Sequence, residues 1–207
     1  RLGLFRQTCA ALVHAHQRGI IHRDVKPSNI LVTEIDGAAA VKVIDFGIAK
    51  AIDTAESGQT ILTVHDQVIG TPEYMAPEQA SGDPAAVETR SDVYSLGVVL
   101  FELLAARRPF DLKTGFDSRM DDFMRAIRED DAPRPSSCLG NDVPRAWATA
   151  LSEELDWMVL RALEKDPRRR YPSVNALAAE VDRYLDGEPV EARPPSTAYR
   201  VRKFVSR

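Results

Sequence analysis

Apolar residues at the start of the chain recur at three- and four-residue steps. Leu2, Phe5, Cys9, Leu12, Val13 and His16 share one face, which predicts a helix. Gly19 stands where a left-handed cap would end it. The period then shortens. Short apolar runs at 20–21 and 30–32, and Val41, Val43 and Ile44, predict three brief strands, with Asp36-Gly37 as a tight turn between the last two. The picture is a small β-ribbon laid on helices, not a large sheet.

Residues 48–75 have no period and are rich in Thr, Ser, Asp and Gln. A loop that long inside a compact domain is usually functional or disordered. The stretch "SDVYSLGVVLFELL", 91–104, is apolar nearly all round, as in a buried central helix. Further helices are predicted at about 117–129, 152–165 and 173–185. The last has Ser173 as N-cap, carries Val174, Leu177, Val181 and Leu185 on one face, and stops at Asp186-Gly187. The tail 192–207 holds Arg193, Arg200, Arg202, Lys203 and Arg207 with no acidic residue, and reads as a linker.

Composition narrows the function classes. A chain of 207 residues with 44% hydrophobic and 28% charged residues is long enough to bury a core. A net charge of −4 gives no global electrostatic case for nucleic acid. Cys9 and Cys138 lie far apart, which fits a reducing, cytoplasmic compartment better than a disulfide scaffold. No run approaches the roughly 18 apolar residues of a membrane span, and the N-terminus is no signal peptide. Arg1 already stands inside a periodic pattern, so the chain reads as a piece of something longer, with any membrane link outside it. His14 and His16 point to different helix faces and His65 has no evident partner, so no zinc site is expected.

The chemistry concentrates in "HRDVKPSNILV", 22–32, and "DFG", 45–47. Phosphoryl transfer needs a carboxylate to take a hydroxyl proton, hard oxygen ligands for a divalent metal, and a cation facing the transferred group. Asp24, Asn29, Asp45 and Lys26 supply those parts. Two strands and a turn between Asn29 and Asp45 would return the chain to one edge, so both metal ligands face one pocket. Each signal alone is weak, since an exposed Asp is mostly just solvated. The joint set H-R-D-x-x-x-x-N at 22–29, D-F-G at 45–47 and A-P-E at 76–78, in that order, is specific.

On those motifs the chain resembles the C-terminal lobe of a eukaryotic-like (Hanks-type) bacterial serine/threonine protein kinase. The resemblance implies an α+β, protein-kinase-like fold, a mainly helical C-lobe with a small β-ribbon and no N-lobe. Residues 1–187 would be that lobe and 188–207 a basic juxta-domain linker. By the resemblance Asp24 is the catalytic base, and Asn29 and Asp45 bind Mg²⁺, with Mn²⁺ as a substitute. Lys26 contacts the γ-phosphate of ATP and implies Ser/Thr acceptors on protein substrates. Leu31 lies beneath the adenine, although as a strand residue it is equally a core side chain. Thr71 of "GTPEYMAPE" bonds back to Asp24 and Lys26. Arg23 would pair with a phosphate on the loop, for which Thr60 and Thr63 are candidates. His22, Phe46 and Gly47 complete the motifs as structural residues. Glu78 and Arg170 match a buried salt bridge, and Asp92 would bond the backbone of the catalytic loop as well as capping its own helix.

Other parts of a kinase are missing. The eleven glycines are never closer than ten residues apart, so there is no glycine-rich phosphate loop, and no lysine precedes Lys26. The chain alone is therefore expected to be inactive, with only the floor of a nucleotide site. Two other readings compete: a pseudokinase or partner-binding module without catalysis, and a small-molecule phosphotransferase. Intact Asp24, Lys26, Asn29 and Asp45 argue against the first, Thr71 and Glu78 against the second.

Overall fold

The computed structural model describes residues 1–46, 72–110, 118–139, 151 and 153–193. Gly47, Thr60, Thr63, His65, Thr71 and the basic tail beyond Arg193 lie outside these residues. Six α-helices are seen among the described residues: α1 (Leu2–His16), α2 (Pro77–Ala80), α3 (Thr89–Ala105), α4 (Ser118–Glu129), α5 (Glu153–Ala162) and α6 (Val174–Leu185). One antiparallel ribbon, β1 (Ile30–Ile35) with β2 (Ala38–Val43), lies against α1, with Ile30 facing Val43 and Ile35 facing Ala38. The small ribbon laid on helices is what the hydrophobic pattern predicts, and the mainly helical α+β arrangement is what the resemblance implies.

α3 is the core's axis. Val93, Leu96, Leu100 and Phe101 are buried on several sides of it, against Phe5, Cys9 and Leu12 of α1 and Met158, Val159 and Leu177 of α5 and α6. Gly97 is where α5 comes closest: a Cβ there would stand 2.8 Å from that of Ala162. The turn between the strands uses Asp36 (φ 51°) and Gly37 (φ 76°), the two left-handed positions of a type I′ hairpin. After α1, Gly19 (φ 74°) lets the Ile20 amide bond the Ala15 carbonyl at 3.0 Å, turning the chain toward the loop at 22–29.

Three expectations change. Residues 20–21 are not a strand; the sheet has two strands, and Ile20 is 41% exposed. The extended stretch that follows is held by side chains from distant elements, so no ladder forms. α3 begins at Thr89, so Asp92 lies within its first turns and does not cap it. Beyond α6 the chain stays attached. Val190 is 5% exposed, the Ala192 amide donates to buried Glu180 Oε1 at 2.7 Å, and the Arg193 guanidinium lies over Trp157. Packing thus continues past Gly187, into the first residues read as linker.

α4 belongs to a satellite core. Phe123, Met124 and Ile127 cover Ala80 of α2, with Met75, Phe110 and Met120 at the rim. Its C-terminal end is held by Lys165, whose Nζ donates to the carbonyls of Ile127 (2.6 Å) and Ala126 (3.3 Å) and lies over the Phe110 ring. Burial pulls this ammonium down to about 8, although Asp131 and Asp130 oppose the shift. An unfolded lysine titrates near 10.4, so between those values the unfolded chain binds more protons and stability rises with pH. Lys165→Met should flatten that rise, which urea midpoints of both proteins from about pH 7.5 to 9.5 will show. Parallel curves would place the titration elsewhere.

Candidate active site

The loop at 22–29 is built around Asp92. Its carboxylate is wholly buried and takes three donors: the His22 amide (2.9 Å), the Arg23 amide (2.9 Å) and His16 Nε2 (2.7 Å). The charge is thereby matched, as a buried carboxylate requires. One side chain of α3 so fixes the loop's entry, and α1 contributes the third donor. No local signal links His16 to a carboxylate 76 positions away.

Arg23 adopts φ 65°, a left-handed conformation costly for a residue with a Cβ. Both its peptide groups are held, the amide by Asp92 and the carbonyl by Gln79 Nε2 at 2.8 Å. Gln79, at the same time, accepts from the Ala76 amide at 2.9 Å. One side chain therefore ties the A-P-E segment to the residue before Asp24, a link that sequence reasoning missed. His22 Nδ1 accepts from the Asp24 amide (3.3 Å) while its Nε2 donates to the Ile44 carbonyl (3.0 Å), a pairing that only the neutral ring can make. Phe46 lies against that ring at a tilt of 39°, with centroids 4.6 Å apart.

Asp24, Lys26 and Asn29 come together. Lys26 Nζ stands 2.9 Å from Asp24 Oδ2, and Asn29 Nδ2 donates to the Asp24 carbonyl (2.9 Å) and to Oδ2 (3.3 Å). Pro27 opens a short 3₁₀ turn through Asn29, which brings the amide back over Asp24. Asp45 is delivered by the ribbon: the Ile44 amide bonds the Asn29 carbonyl at 3.0 Å, so the two candidate ligands stand on adjoining backbone. Asp45 itself is exposed, with φ 57°. Leu31 is 47% exposed on β1, next to exposed Val32.

These residues fit a divalent cation. With both amide protons of Asn29 turned to Asp24, its carbonyl oxygen remains as a donor, and the Asp45 carboxylate is another hard oxygen ligand. No group of three or more His, Cys, Asp or Glu able to hold a metal exists among the described residues. Two oxygens suit Mg²⁺, which usually completes its shell with water and substrate phosphates.

Glu78 and Arg170 form the buried pair. Arg170 Nη1 and Nη2 donate to Glu78 Oε1 (2.8 Å) and Oε2 (2.7 Å), and Ser91 Oγ donates to Oε1 at 2.6 Å. The remaining donors of Arg170 reach the carbonyls of Glu164, Arg90 and Lys165. Burial pushes the Glu78 carboxyl up, but the bonds and charge of Arg170 outweigh it and hold the group below its ordinary value. The segment before α2 is fixed on α3 as well: Tyr74 Oη donates to Glu102 at 2.6 Å, and Ser95 Oγ donates to the Tyr74 carbonyl at 2.7 Å.

The chain is similar to known proteins along most of its length. The protein kinase domain family matches residues 3–181. Serine/threonine-protein kinase PknB of Mycobacterium tuberculosis (strain ATCC 25618 / H37Rv) is 47% identical over 184 residues, 89% of this chain and 26% of that protein. PknB of Mycolicibacterium smegmatis is 42% identical over 189 residues, 91% of this chain and 27% of its own. A probable serine/threonine-protein kinase of Streptomyces coelicolor is 40% identical over 182 residues, 88% of this chain and 24% of its own. The chain spans about a quarter of the length of these curated relatives. With the family matched over most of its length, and a catalytic-type loop, ribbon and buried ion pair in one folded body, the chain belongs to the protein kinase domain family.

Proposed function

We propose that residues 1–187 are the C-terminal lobe of a catalytic domain that transfers the γ-phosphoryl group of ATP to serine or threonine hydroxyls of proteins. One arrangement supports this most: Asp24 Oδ2 held between Lys26 Nζ (2.9 Å) and Asn29 Nδ2 (3.3 Å), beside the strand end that carries Asp45. A carboxylate held in this way keeps one orientation and can accept the hydroxyl proton. Lys26, also within reach, places a cation where the transferred group gains charge. Asn29 and Asp45 would hold Mg²⁺, or Mn²⁺ in its place, and the bound ion neutralises phosphate charge. Leu31 offers an apolar surface for the adenine. Thr71 assists at the acceptor side, and Arg23 receives a phosphate placed on Thr60 or Thr63, so that modification orders the loop. Related kinases use ATP and a divalent metal, and no described helix is long and apolar enough to cross a membrane. The unclustered cysteines favour a cytoplasmic setting.

The test is phosphotransfer from γ-labelled ATP by the complete kinase domain, offered peptides that differ only in Ser, Thr or Tyr at the acceptor. Label on Ser and Thr and none on Tyr is expected, with negligible turnover by the 207-residue chain alone. A complete domain that labels nothing would favour a partner-binding module.

A further inference from the structure

α1 presents Gln7 on its exposed side, away from the core face of Phe5, Cys9 and Leu12. Its side-chain amide makes two bonds to β2: Nε2 donates to the Ala39 carbonyl at 3.0 Å, and Oε1 accepts from the Val41 amide at 3.0 Å. The inner edge of β2 is paired with β1, and the ribbon has no third strand among the described residues. One donor and one acceptor set two residues apart along an edge is what a neighbouring antiparallel strand would offer. Gln7 thus takes the place of a third strand over one repeat.

The position of this contact matters. β2 runs from the Gln7 contact to Val43, and two residues later comes Asp45. The segment between is held on its inner edge by Asn29, through the Ile44 amide, and at its end by His22, through the Ile44 carbonyl. Gln7 adds the outer edge, and it does so from a helix whose other face is locked in the core. We propose that Gln7 is a positioning residue for Asp45: it fixes the register and tilt at which β2 delivers that carboxylate beside Asn29. The inference rests on the reading of Asp45 as a metal ligand.

The test uses the complete kinase domain with ATP, and reads Mn²⁺ binding from the electron paramagnetic resonance of the free ion. Gln7→Met keeps side-chain length and loses both bonds. Two hydrogen bonds of ordinary net strength correspond to at most about a thirtyfold change in an equilibrium, of which only the part transmitted to Asp45 reaches the metal. Mn²⁺ affinity should therefore fall about tenfold, and the Val41 amide should exchange with solvent faster. At saturating metal, kcat should stay within about twofold, because Asp24 and Lys26 are untouched. Gln7→Glu keeps the acceptor for Val41 and loses the donor to Ala39, so it should fall between wild type and Gln7→Met; it carries the test if Gln7→Met fails to fold. Unchanged Mn²⁺ affinity with accelerated Val41 exchange would overturn the proposal, since the strand would then be loosened without effect on the metal. So would loss of kcat at saturating metal without loss of affinity. Asp45→Asn, run alongside, separates the two readings: if it too leaves Mn²⁺ affinity unchanged, the ligand role fails, and with it the ground for the test.

Discussion

Arg170→Met should destabilise the chain by about 3–5 kcal/mol, the range for breaking a buried ion pair by removing one partner. The reason lies in what is left behind. Arg170 is 2% exposed and supplies bonds to Glu78 and to the carbonyls of Glu164, Arg90 and Lys165. Methionine fills much of the volume and satisfies none of these groups, so Glu78 becomes a buried charge left with Ser91 and its own backbone amide as donors. The pH dependence should change sign. In the wild type the Glu78 value is depressed, so its contribution is fully present above the unfolded value near 4.3 and is lost as pH falls through the folded one. In Arg170→Met, burial, the largest single influence on the carboxyl, is no longer offset by the bonds and charge of Arg170. The group is raised, and the variant should gain stability relative to wild type as pH falls. Urea unfolding at pH 7 and near pH 5 reads both effects. The double change Glu78→Leu with Arg170→Met should recover much of the loss, because an apolar pair in that space leaves no charge stranded. A midpoint for Arg170→Met equal to that of wild type at pH 7 would mean that water reaches Glu78 freely.

The second large effect is on catalysis. Asp24→Asn in the complete kinase domain should lower kcat by about 10²–10⁴, the usual worth of a positioned general base. The fold should barely respond. Asn29 keeps its 2.9 Å bond to the main-chain carbonyl at position 24, and the loop entry stays pinned by Asp92. The Lys26 ion pair, partly open to solvent, is lost. Single-turnover phosphotransfer at saturating ATP, set beside thermal unfolding of the same protein, makes the distinction. A kcat near wild type would remove Asp24 from the chemistry, and a collapse in stability would make it a structural residue.

What the sequence made legible follows from distance along the chain. Asp24, Lys26 and Asn29 lie within six residues of one another, so a single local turn is enough to bring them together. α1 and α6 repeat buried positions every three or four residues, and α3 is apolar on nearly every side, which makes all three legible as helices. Ile20 and Ile21 looked like strand because apolar pairs often are. Of the groups that hold the following loop, Asp92 was legible only through the resemblance and Gln79 not at all, since they lie 70 and 56 positions away. The packing of 188–193 was hidden for a different reason. Its anchor is Glu180, a carboxylate on a helix face, and such residues are almost never fully buried unless paired. Arg170 was legible only through the resemblance, since its pairing with Glu78 spans 92 positions.

The backbone at Arg23 and Asp45 has a consequence separate from charge. At φ 65° and 57° both residues occupy a region from which valine, isoleucine and threonine are nearly shut out. Mutational drift at these two sites is therefore filtered first by stereochemistry, and asparagine and glycine are the replacements that enter with least conformational penalty. A survey of tolerated variants there should show that narrow menu even in a protein selected only for folding.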